Sequence, residues 1–284
     1  MNILKLKYQF ILVFFSLVIT SCSSKIGNGR IKSIQYYTVD GIVRSNKAKE
    51  IFKTKVGLHK MENFDLNGNL TRESEFDTVG NEKNVIENKY DLKNNLLEVL
   101  YYERFANKGL SKTQLAKNIY NGNLLVETLL YYGTFESSGF WSKTTFSYNN
   151  KNQKIKVDFI GYNDDVDRET LLFTWKNDFS YVEDRFDKEG ILSERHFVLF
   201  DKKGQQIEHK INFEVSSNED YTYQVYSKKT YDRYGNILTK KSKYVGKPVE
   251  KSVYTYLYVG KNWNYRLCKT DNDYISEFRK IEYY

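Results

Sequence analysis

Residues 231–237 read Tyr231-Asp232-Arg233-Tyr234-Gly235-Asn236-Ile237, and this stretch decides the fold. An Asp carboxylate caps the backbone that follows it, the next two residues suit a type I turn, and Gly takes the left-handed position of a bulged turn. The aromatic residue before the Asp then lies opposite the aliphatic residue two places after the Gly. The stretch therefore predicts a β-hairpin closed by the cross-strand pair Tyr231–Ile237.

The same turn recurs along the chain as an internal repeat. Clear copies begin at Phe64, Phe76, Tyr90, Phe186 and Phe200, and degenerate copies begin at Tyr120 and Tyr148. In the Tyr90 copy, Asn94 replaces Gly, and Asn is the other residue that tolerates a positive φ. We expect the facing pairs Phe64–Leu70, Tyr90–Leu96, Phe186–Leu192 and Tyr231–Ile237, each stabilising the sheet by roughly 0.2–1 kcal/mol. The Asp residues are therefore interpreted as turn formers and not as catalytic acids.

The segments between the turns have the alternation of β-strands. Residues 253–259 and 207–215 both alternate with a period of two. No segment has a convincing helical stripe, although 111–118 could form one helical turn or a long hairpin tip. We predict an all-β fold, an antiparallel meander in which tight turns alternate with longer loops and form one twisted, curved sheet, open or partly closed. No Pro- or Gly-rich linker divides it, so residues 34–284 are predicted to form one β-hairpin repeat domain.

The turn resembles the YD repeat of RHS-type proteins, in which tyrosine–aspartate hairpins build long coiled or barrel-like β-structures. The repeat is degenerate here, because its spacing is irregular and no regular Arg or Gly precedes the Tyr. The resemblance implies β-hairpin architecture on a secreted or surface protein and implies no activity. A closed shell like that of the toxin members is expected to need far more repeats.

The N-terminus has the pattern of an export signal. Lys5 and Lys7 precede an apolar run at 10–19, which is too short for the ~20 residues of a membrane-spanning helix. The run ends in Ile19-Thr20-Ser21-Cys22, which resembles the lipobox of bacterial lipoproteins. The resemblance implies cleavage after residue 21, lipidation of Cys22, and anchoring of the chain in the cell envelope, in the outer membrane. The alternative is an ordinary signal peptide, 1–21, with a coincidental cysteine. Residues 22–33 are polar and are predicted to be a flexible tether.

The basic charge is concentrated near the C-terminus. The chain of 284 residues has a formal net charge of +8, of which residues 1–21 carry two lysines and no acid. Residues 226–252 hold only two acids and eight basic residues: Lys228, Lys229, Arg233, Lys240, Lys241, Lys243, Lys247 and Lys251. This segment is a candidate contact for an anionic surface, such as a lipid head group or an acidic glycan. The alternative is that these lysines only protect exposed or edge strands from aggregation.

Two further groups are candidates for binding. Tyr254, Tyr256 and Tyr258 share one strand face and could stack on a sugar ring or a partner protein; otherwise they cover the sheet and point their hydroxyls to water. His196 and His209 flank one turn, and they face each other directly in one register but lie on opposite faces in the bulged register. We favour the bulged register and predict no metal site.

The sequence contains no motif that identifies a chemistry. It has no Gly-rich phosphate loop, no Gly-x-Ser-x-Gly elbow and no His-Glu-x-x-His, so no cofactor is predicted. The first hypothesis is a non-catalytic, lipid-anchored envelope protein that binds a glycan or protein through its sheet surface. The alternatives are an envelope hydrolase with a cleft at one end of the sheet, and an immunity-type lipoprotein that binds a toxin. Export makes nucleic acid a poor partner.

Overall fold

A computed structural model describes residues 30–39, 56–106, 109–133, 141–161, 168–213, 225–271 and 274–284. These ranges contain eighteen β-strands and no helix. The strands are β1 (Ile31–Val39), β2 (Val56–Phe64), β3 (Leu70–Phe76), β4 (Glu82–Tyr90), β5 (Leu96–Phe105), β6 (Gly109–Asn121), β7 (Leu124–Tyr132), β8 (Ser142–Tyr148), β9 (Lys154–Gly161), β10 (Arg168–Asn177), β11 (Ser180–Phe186), β12 (Leu192–Phe200), β13 (Gln206–Asn212), β14 (Val225–Tyr231), β15 (Ile237–Lys243), β16 (Glu250–Val259), β17 (Asn262–Lys269) and β18 (Tyr274–Tyr283). Because β1 begins at Ile31, the last three residues of the predicted tether lie in the sheet.

The strands form one antiparallel meander that closes on itself into a barrel. Each strand pairs with the next along the chain, and β1 pairs with both β2 and β18. The predicted all-β meander is thus confirmed, and the sheet is fully closed. The sheet closes because the first and last strands supply each other's missing partner. Every described strand therefore has a neighbour on both sides.

The predicted turns have the predicted chemistry. In the first copy, Asp65 Oδ1 accepts hydrogen bonds from the backbone N–H groups of Asn67 and Asn69 at 2.8 and 2.9 Å. Gly68 has a φ of 87°, and the corresponding Asn94 of the third copy has a φ of 66°. The same bonds recur at every clear copy, with the carboxylate of Asp77, Asp91, Asp187, Asp201 or Asp232 as acceptor.

The register beside each clear turn includes a bulge. All four predicted pairs form: Phe64–Leu70, Tyr90–Leu96, Phe186–Leu192 and Tyr231–Ile237. The pairing then shifts by one residue immediately inside the pair, as between Leu199 and Phe200. A bulge of this kind increases the local twist of the two strands. It also decides which side chains share a face farther along the hairpin.

The two ends of the sheet differ in the length of their connections. Each connection from an even-numbered strand to the next odd-numbered strand is short, at 65–69, 91–95, 122–123, 149–153, 178–179, 201–205, 232–236 and 260–261. We call the end that holds these connections the tight-turn end. The other end holds the Asp-capped turns 77–81 and 187–191, the short connections 106–108 and 270–273, and all the connections longer than five residues. The predicted alternation of tight turns with longer loops therefore holds for part of the sheet.

Tyrosine hydroxyl groups tie neighbouring hairpins together at the tight-turn end. Tyr90 donates a hydrogen bond to the carbonyl oxygen of Leu70 at 2.9 Å, and Tyr120 donates one to Leu96 at 3.1 Å. In each case the acceptor is the residue that opens the preceding strand. Tyr148, Tyr231 and Tyr256 make equivalent bonds to Leu125, Gln206 and Ile237. This recurring bond gives five of the 25 tyrosines in the chain a structural role.

The buried apolar side chains form small clusters, each confined to two, three or four consecutive strands. One contains Val99, Ala116 and Leu130 on β5 to β7, and another contains Val157, Leu171 and Phe173 on β9 and β10. Apolar burial therefore stabilises the sheet between neighbouring strands. Within the described ranges, no helix is long and apolar enough to cross a membrane.

The suggestion of a helical turn or hairpin tip at 111–118 was wrong, because these residues lie inside β6. Gln114, Leu115 and Ala116 are consecutive and all buried, at 1%, 4% and 0% exposure. In a strand that is buried on both faces, apolar and polar residues do not alternate. Its sequence pattern therefore resembles that of a buried helical segment.

Candidate functional site

The structure divides the basic segment between the two faces of the sheet. Lys228, Lys241 and Lys251 lie directly opposite one another on β14, β15 and β16, and we call them the lysine row. Strand alternation puts Lys243 on the same face as Lys241. Lys229 and Lys240 also face each other, but on the opposite side of the sheet.

The two sets of lysines differ in exposure. The lysine row and Lys243 are exposed, whereas Lys229 and Lys240 are half-buried. The Lys229 ammonium group donates to Gln206 Oε1 at 3.3 Å. Burial lowers the pKa of Lys229, and the charge of Lys240 lowers it further. Within the basic segment, the lysine row and Lys243 thus present their charge on the exposed face of the sheet.

A shallow depression of about 370 Å³ lies beside the lysine row. Its lining residues are Glu208, Lys210, Tyr226, Lys228 and Lys241. Glu208 Oε1 lies 3.1 Å from Lys228 Nζ and 3.4 Å from Lys210 Nζ, so one carboxylate forms ion pairs with two ammonium groups. Among the described residues, no carboxylate lies within ion-pair distance of Lys241 or Lys251. The depression is therefore positively charged overall, with a tyrosine ring in its wall.

The remaining two basic residues of the segment lie in turns at opposite ends of the sheet. Arg233 is in the turn at 232–236, where its guanidinium lies 4.6 Å from the centre of the Tyr234 ring. Lys247 is in the connection between β15 and β16, and its backbone N–H donates to the carbonyl of Tyr244 at 3.1 Å. The predicted single patch of eight residues is thus the lysine row with Lys243 on one face, a pair on the other face, and two turn residues.

The three tyrosines of β16 are half-buried members of the sheet. Tyr256 donates its hydroxyl to the carbonyl of Ile237 at 2.8 Å, and burial raises its pKa to about 12. Tyr258 donates to the carboxylate of Asp232 and accepts a bond from Asn236 Nδ2 at 3.1 Å. The Arg266 guanidinium lies 5.9 Å from the ring of Tyr254. The hydroxyls of Tyr256 and Tyr258 thus bind protein atoms and do not form the water-facing surface that alternation suggests.

The histidine pair follows neither of the two predicted registers. The bulge pairs His196 with Ile211 and His209 with Val198, so both rings lie on one face as diagonal neighbours. The expectation that the bulged turn separates them was wrong, since the extra shift at Phe200 restores a common face. His196 Nδ1 lies 3.0 Å from His209 Nε2, and His196 Nε2 lies 2.9 Å from Glu194 Oε2.

The side chains around the histidine pair form hydrogen bonds and ion pairs with one another. In the described part of the chain, no three His, Cys, Asp or Glu side chains are placed to hold a metal ion together. The two rings instead belong to a buried polar network, in which Arg185 contacts Glu183 at 2.7 Å and Glu194 at 3.4 Å. Burial lowers the pKa of His209 to about 4, and the charges of His196, Arg185 and Lys229 add to the effect.

The predicted lipidation residue, Cys22, lies outside the described residues. The second cysteine, Cys268, is buried at 8% exposure on β17.

Comparisons with known proteins give distant structural similarity only. No family model and no curated protein sequence matches the chain. A porin-like protein from Bacteroides uniformis is 10% identical, covers 89% of this chain and 96% of its own, and gives a TM-score of 0.40. A porin-like protein from Bacteroides vulgatus is 8% identical, with coverages of 90% and 99% and a TM-score of 0.34. The TcdB2–TccC3–Cdc42 structure is 9% identical and gives a TM-score of 0.33; the match covers 87% of this chain and 16% of that one. No functional argument rests on similarity at this level.

The sequence pointed to the lysines but missed the residues that complete the site. Glu208 and Lys210 lie on β13, before the basic segment, and reach it through the pairing of β13 with β14. Alternation along each strand assigns residues to two faces, but the register between these strands depends on the connection at 213–224. That connection contains no turn motif, so no local sequence pattern predicts that Glu208 and Lys210 lie beside the lysine row.

Proposed function

We propose that this chain is a lipid-anchored envelope protein that binds an acidic polysaccharide on the lysine row. The observation that carries the proposal is the row itself, in which three exposed lysines stand directly opposite one another on adjacent strands. Directly opposed like charges destabilise a sheet. An anionic ligand laid across the strands would offset that repulsion.

The closure of the sheet argues against edge protection as the role of these lysines. Lysines guard the edges of open sheets against pairing with other chains. Here β14, β15 and β16 are each paired on both sides within a closed sheet. The lysine row therefore has no edge to protect, which favours a role in binding.

The surroundings of the row favour a polysaccharide over other anions. Lysines on neighbouring strands are about 4.8 Å apart along the hydrogen-bonding direction, so the row presents regularly spaced charge to an extended chain. The Tyr226 ring in the depression offers an apolar face with a polar tip, which suits a sugar ring. Lys251 is the second residue of β16, close to the end opposite to the one where β1 enters the sheet. The row thus lies on the wall of the barrel, with Lys251 at the end of the row that is farther from a membrane to which the N-terminus would be anchored.

The anchor is tested by fractionation of cells that express the full chain. Cys22→Ala should move the protein from the membrane pellet to the soluble fraction, because stable anchoring depends on the acyl chains. Cys268→Ala is the matched control and should stay in the pellet. Retention of the Cys22→Ala protein in the pellet would contradict the lipid anchor.

The ligand class is tested by fluorescence anisotropy with labelled oligogalacturonate, a carboxylated sugar chain, against a neutral dextran oligomer of similar length. Binding of the acidic oligomer alone, weakened by added salt, supports the proposal, because exposed charges are screened. Equal affinity for both oligomers would contradict it. Shortening of the acidic oligomer during incubation would instead favour the hydrolase alternative.

A further inference from the structure

The tight-turn end of the sheet is also the end at which the N-terminal strand enters. The Arg30 guanidinium donates to the carbonyl of Leu66 at 2.6 Å, in the turn between β2 and β3. The last residue, Tyr284, donates its backbone N–H to the carbonyl of Arg30 at 3.0 Å. The polypeptide that precedes Arg30 therefore leaves the barrel at this end.

The sequence before Arg30 limits how far this end can lie from an anchored Cys22. Arg30 is eight residue steps from Cys22, and a fully extended chain spans at most about 3.5 Å per step, or about 28 Å in all. The strands that lead to the opposite end are seven to thirteen residues long, and a strand advances about 3.3 Å per residue. A barrel standing on its anchored end therefore holds the tight turns near the bilayer and the other end away from it.

The tips of these turns carry apolar side chains that the turn chemistry does not require. Leu66 and Leu92 follow the capping Asp, at a position occupied by Lys202 and Arg233 in other copies. Leu66 is 56% exposed and Leu92 is fully exposed, so neither contributes to the core. Phe179, Tyr234 and Val259 are further exposed apolar residues on the same end.

Basic residues lie between these apolar tips. They are Arg30, Lys93, Lys151, Lys202, Lys203, Arg233 and Lys261. The acids of the same turns are mostly the capping residues, such as Asp65 and Asp91, whose carboxylates accept hydrogen bonds from their own turns. Exposed apolar side chains among lysines suit the boundary between anionic head groups and acyl chains, where each basic residue adds about 1 kcal/mol of attraction.

We propose that the tight-turn end rests on an anionic lipid bilayer, with Leu66 and Leu92 entering the head-group layer. This inference rests on the proposed lipid anchor, which brings this end to the membrane. It adds an orientation, in which the lysine row stands on the barrel wall above the bilayer and stays open to a polysaccharide.

The test uses the full, lipidated chain reconstituted into vesicles of phosphatidylglycerol and phosphatidylcholine. A nitrobenzoxadiazole label is attached at Leu92→Cys, at Leu66→Cys and, as the matched control on the opposite end, at Val79→Cys. Val79 is also in an Asp-capped turn and is 78% exposed. Cys268 is buried, and Cys22 would carry lipid, so labelling is confined to the introduced thiols.

We expect labels at the Leu66 and Leu92 positions to shift to blue emission and to be quenched by a nitroxide lipid, whereas the label at the Val79 position keeps its emission in water. Labels at the first two positions that stay in water would overturn the inference, as would equal shifts at all three positions. Vesicle flotation separates this result from the anchor. Protein that floats with unshifted labels overturns only the orientation, and protein that does not float overturns the anchor and the orientation together.

Discussion

The hydrogen bond between His196 and His209 predicts a loss of stability in mild acid. One imidazole must donate and the other must accept across the 3.0 Å that separates Nδ1 of His196 from Nε2 of His209. A second proton on the pair removes the acceptor and sets two positive rings against each other. Arg185 and Lys229 oppose that proton as well, whereas Glu194 favours it.

The magnitude follows from the lowered pKa of His209, which is about 4 against an ordinary value of 6.5. Between these values the unfolded chain binds more protons than the folded one, so stability falls as pH falls. The contribution is full above pH 6.5 and is lost by pH 4. The complete shift sets an upper limit of about 3 kcal/mol, and because the ring is only partly buried we expect roughly 1–2 kcal/mol.

The assay is urea unfolding at pH 7.5 and pH 4.5, followed by tryptophan fluorescence. Carboxylates also titrate in this range, so the comparison with His209→Gln isolates the histidine. Wild type should lose roughly 1–2 kcal/mol more than His209→Gln between the two pH values. His59→Gln leaves the pair intact and should behave as wild type. Equal losses in wild type and His209→Gln would refute the account of the pair.

Two further substitutions test the turns. Asp232→Ala removes the acceptor of the Tyr234 and Asn236 backbone N–H groups, and it should lower the free energy of unfolding by roughly 1–2 kcal/mol without changing glycan affinity. Loss of binding at unchanged stability would show that Asp232 acts on the ligand. Tyr90→Phe removes the hydroxyl bond to Leu70 and should cost about 1 kcal/mol in urea unfolding, whereas Tyr244→Phe, in an exposed connection, should cost nothing measurable. Equal effects of the two tyrosine substitutions would argue against the hydroxyl bonds as ties between hairpins.

The hairpins could be predicted from the sequence because each is a local event. The Asp, the Gly or Asn, and the flanking aromatic lie within seven residues, so the capping bonds and the facing pair follow from one short stretch. The closure of the sheet could not be predicted in this way. It depends on pairing β1 with β18, for example Tyr37 with Phe278, and no local pattern links strands so far apart in the chain.

The contacts within the candidate site also depend on the register between strands, which the sequence does not fully predict. Lys228 and Lys241 are joined by one turn, but the pair Tyr231–Ile237 alone would set Lys228 opposite Lys240. The one-residue shift between Thr230 and Tyr231 sets it opposite Lys241 instead. Glu208 reaches Lys228 across a connection without a turn motif. The prediction for the histidine pair failed for a related reason, because the one-residue shift at Phe200 brings His209 to the face that holds His196. The charge composition of the sequence identifies the basic segment, but the register between the strands is needed to show which of its lysines lie opposite one another.

The comparison of two matched double substitutions tests the central claim most directly. Lys228→Gln/Lys241→Gln and Lys229→Gln/Lys240→Gln each remove two directly opposed lysines from β14 and β15, the first from the exposed face and the second from the opposite, half-buried face. If each exposed contact contributes roughly 0.7 kcal/mol, the first pair should weaken oligogalacturonate binding about tenfold. The second pair should leave the affinity within twofold of wild type. Equal weakening by both pairs would contradict the account, because binding would then follow net charge and not the lysine row.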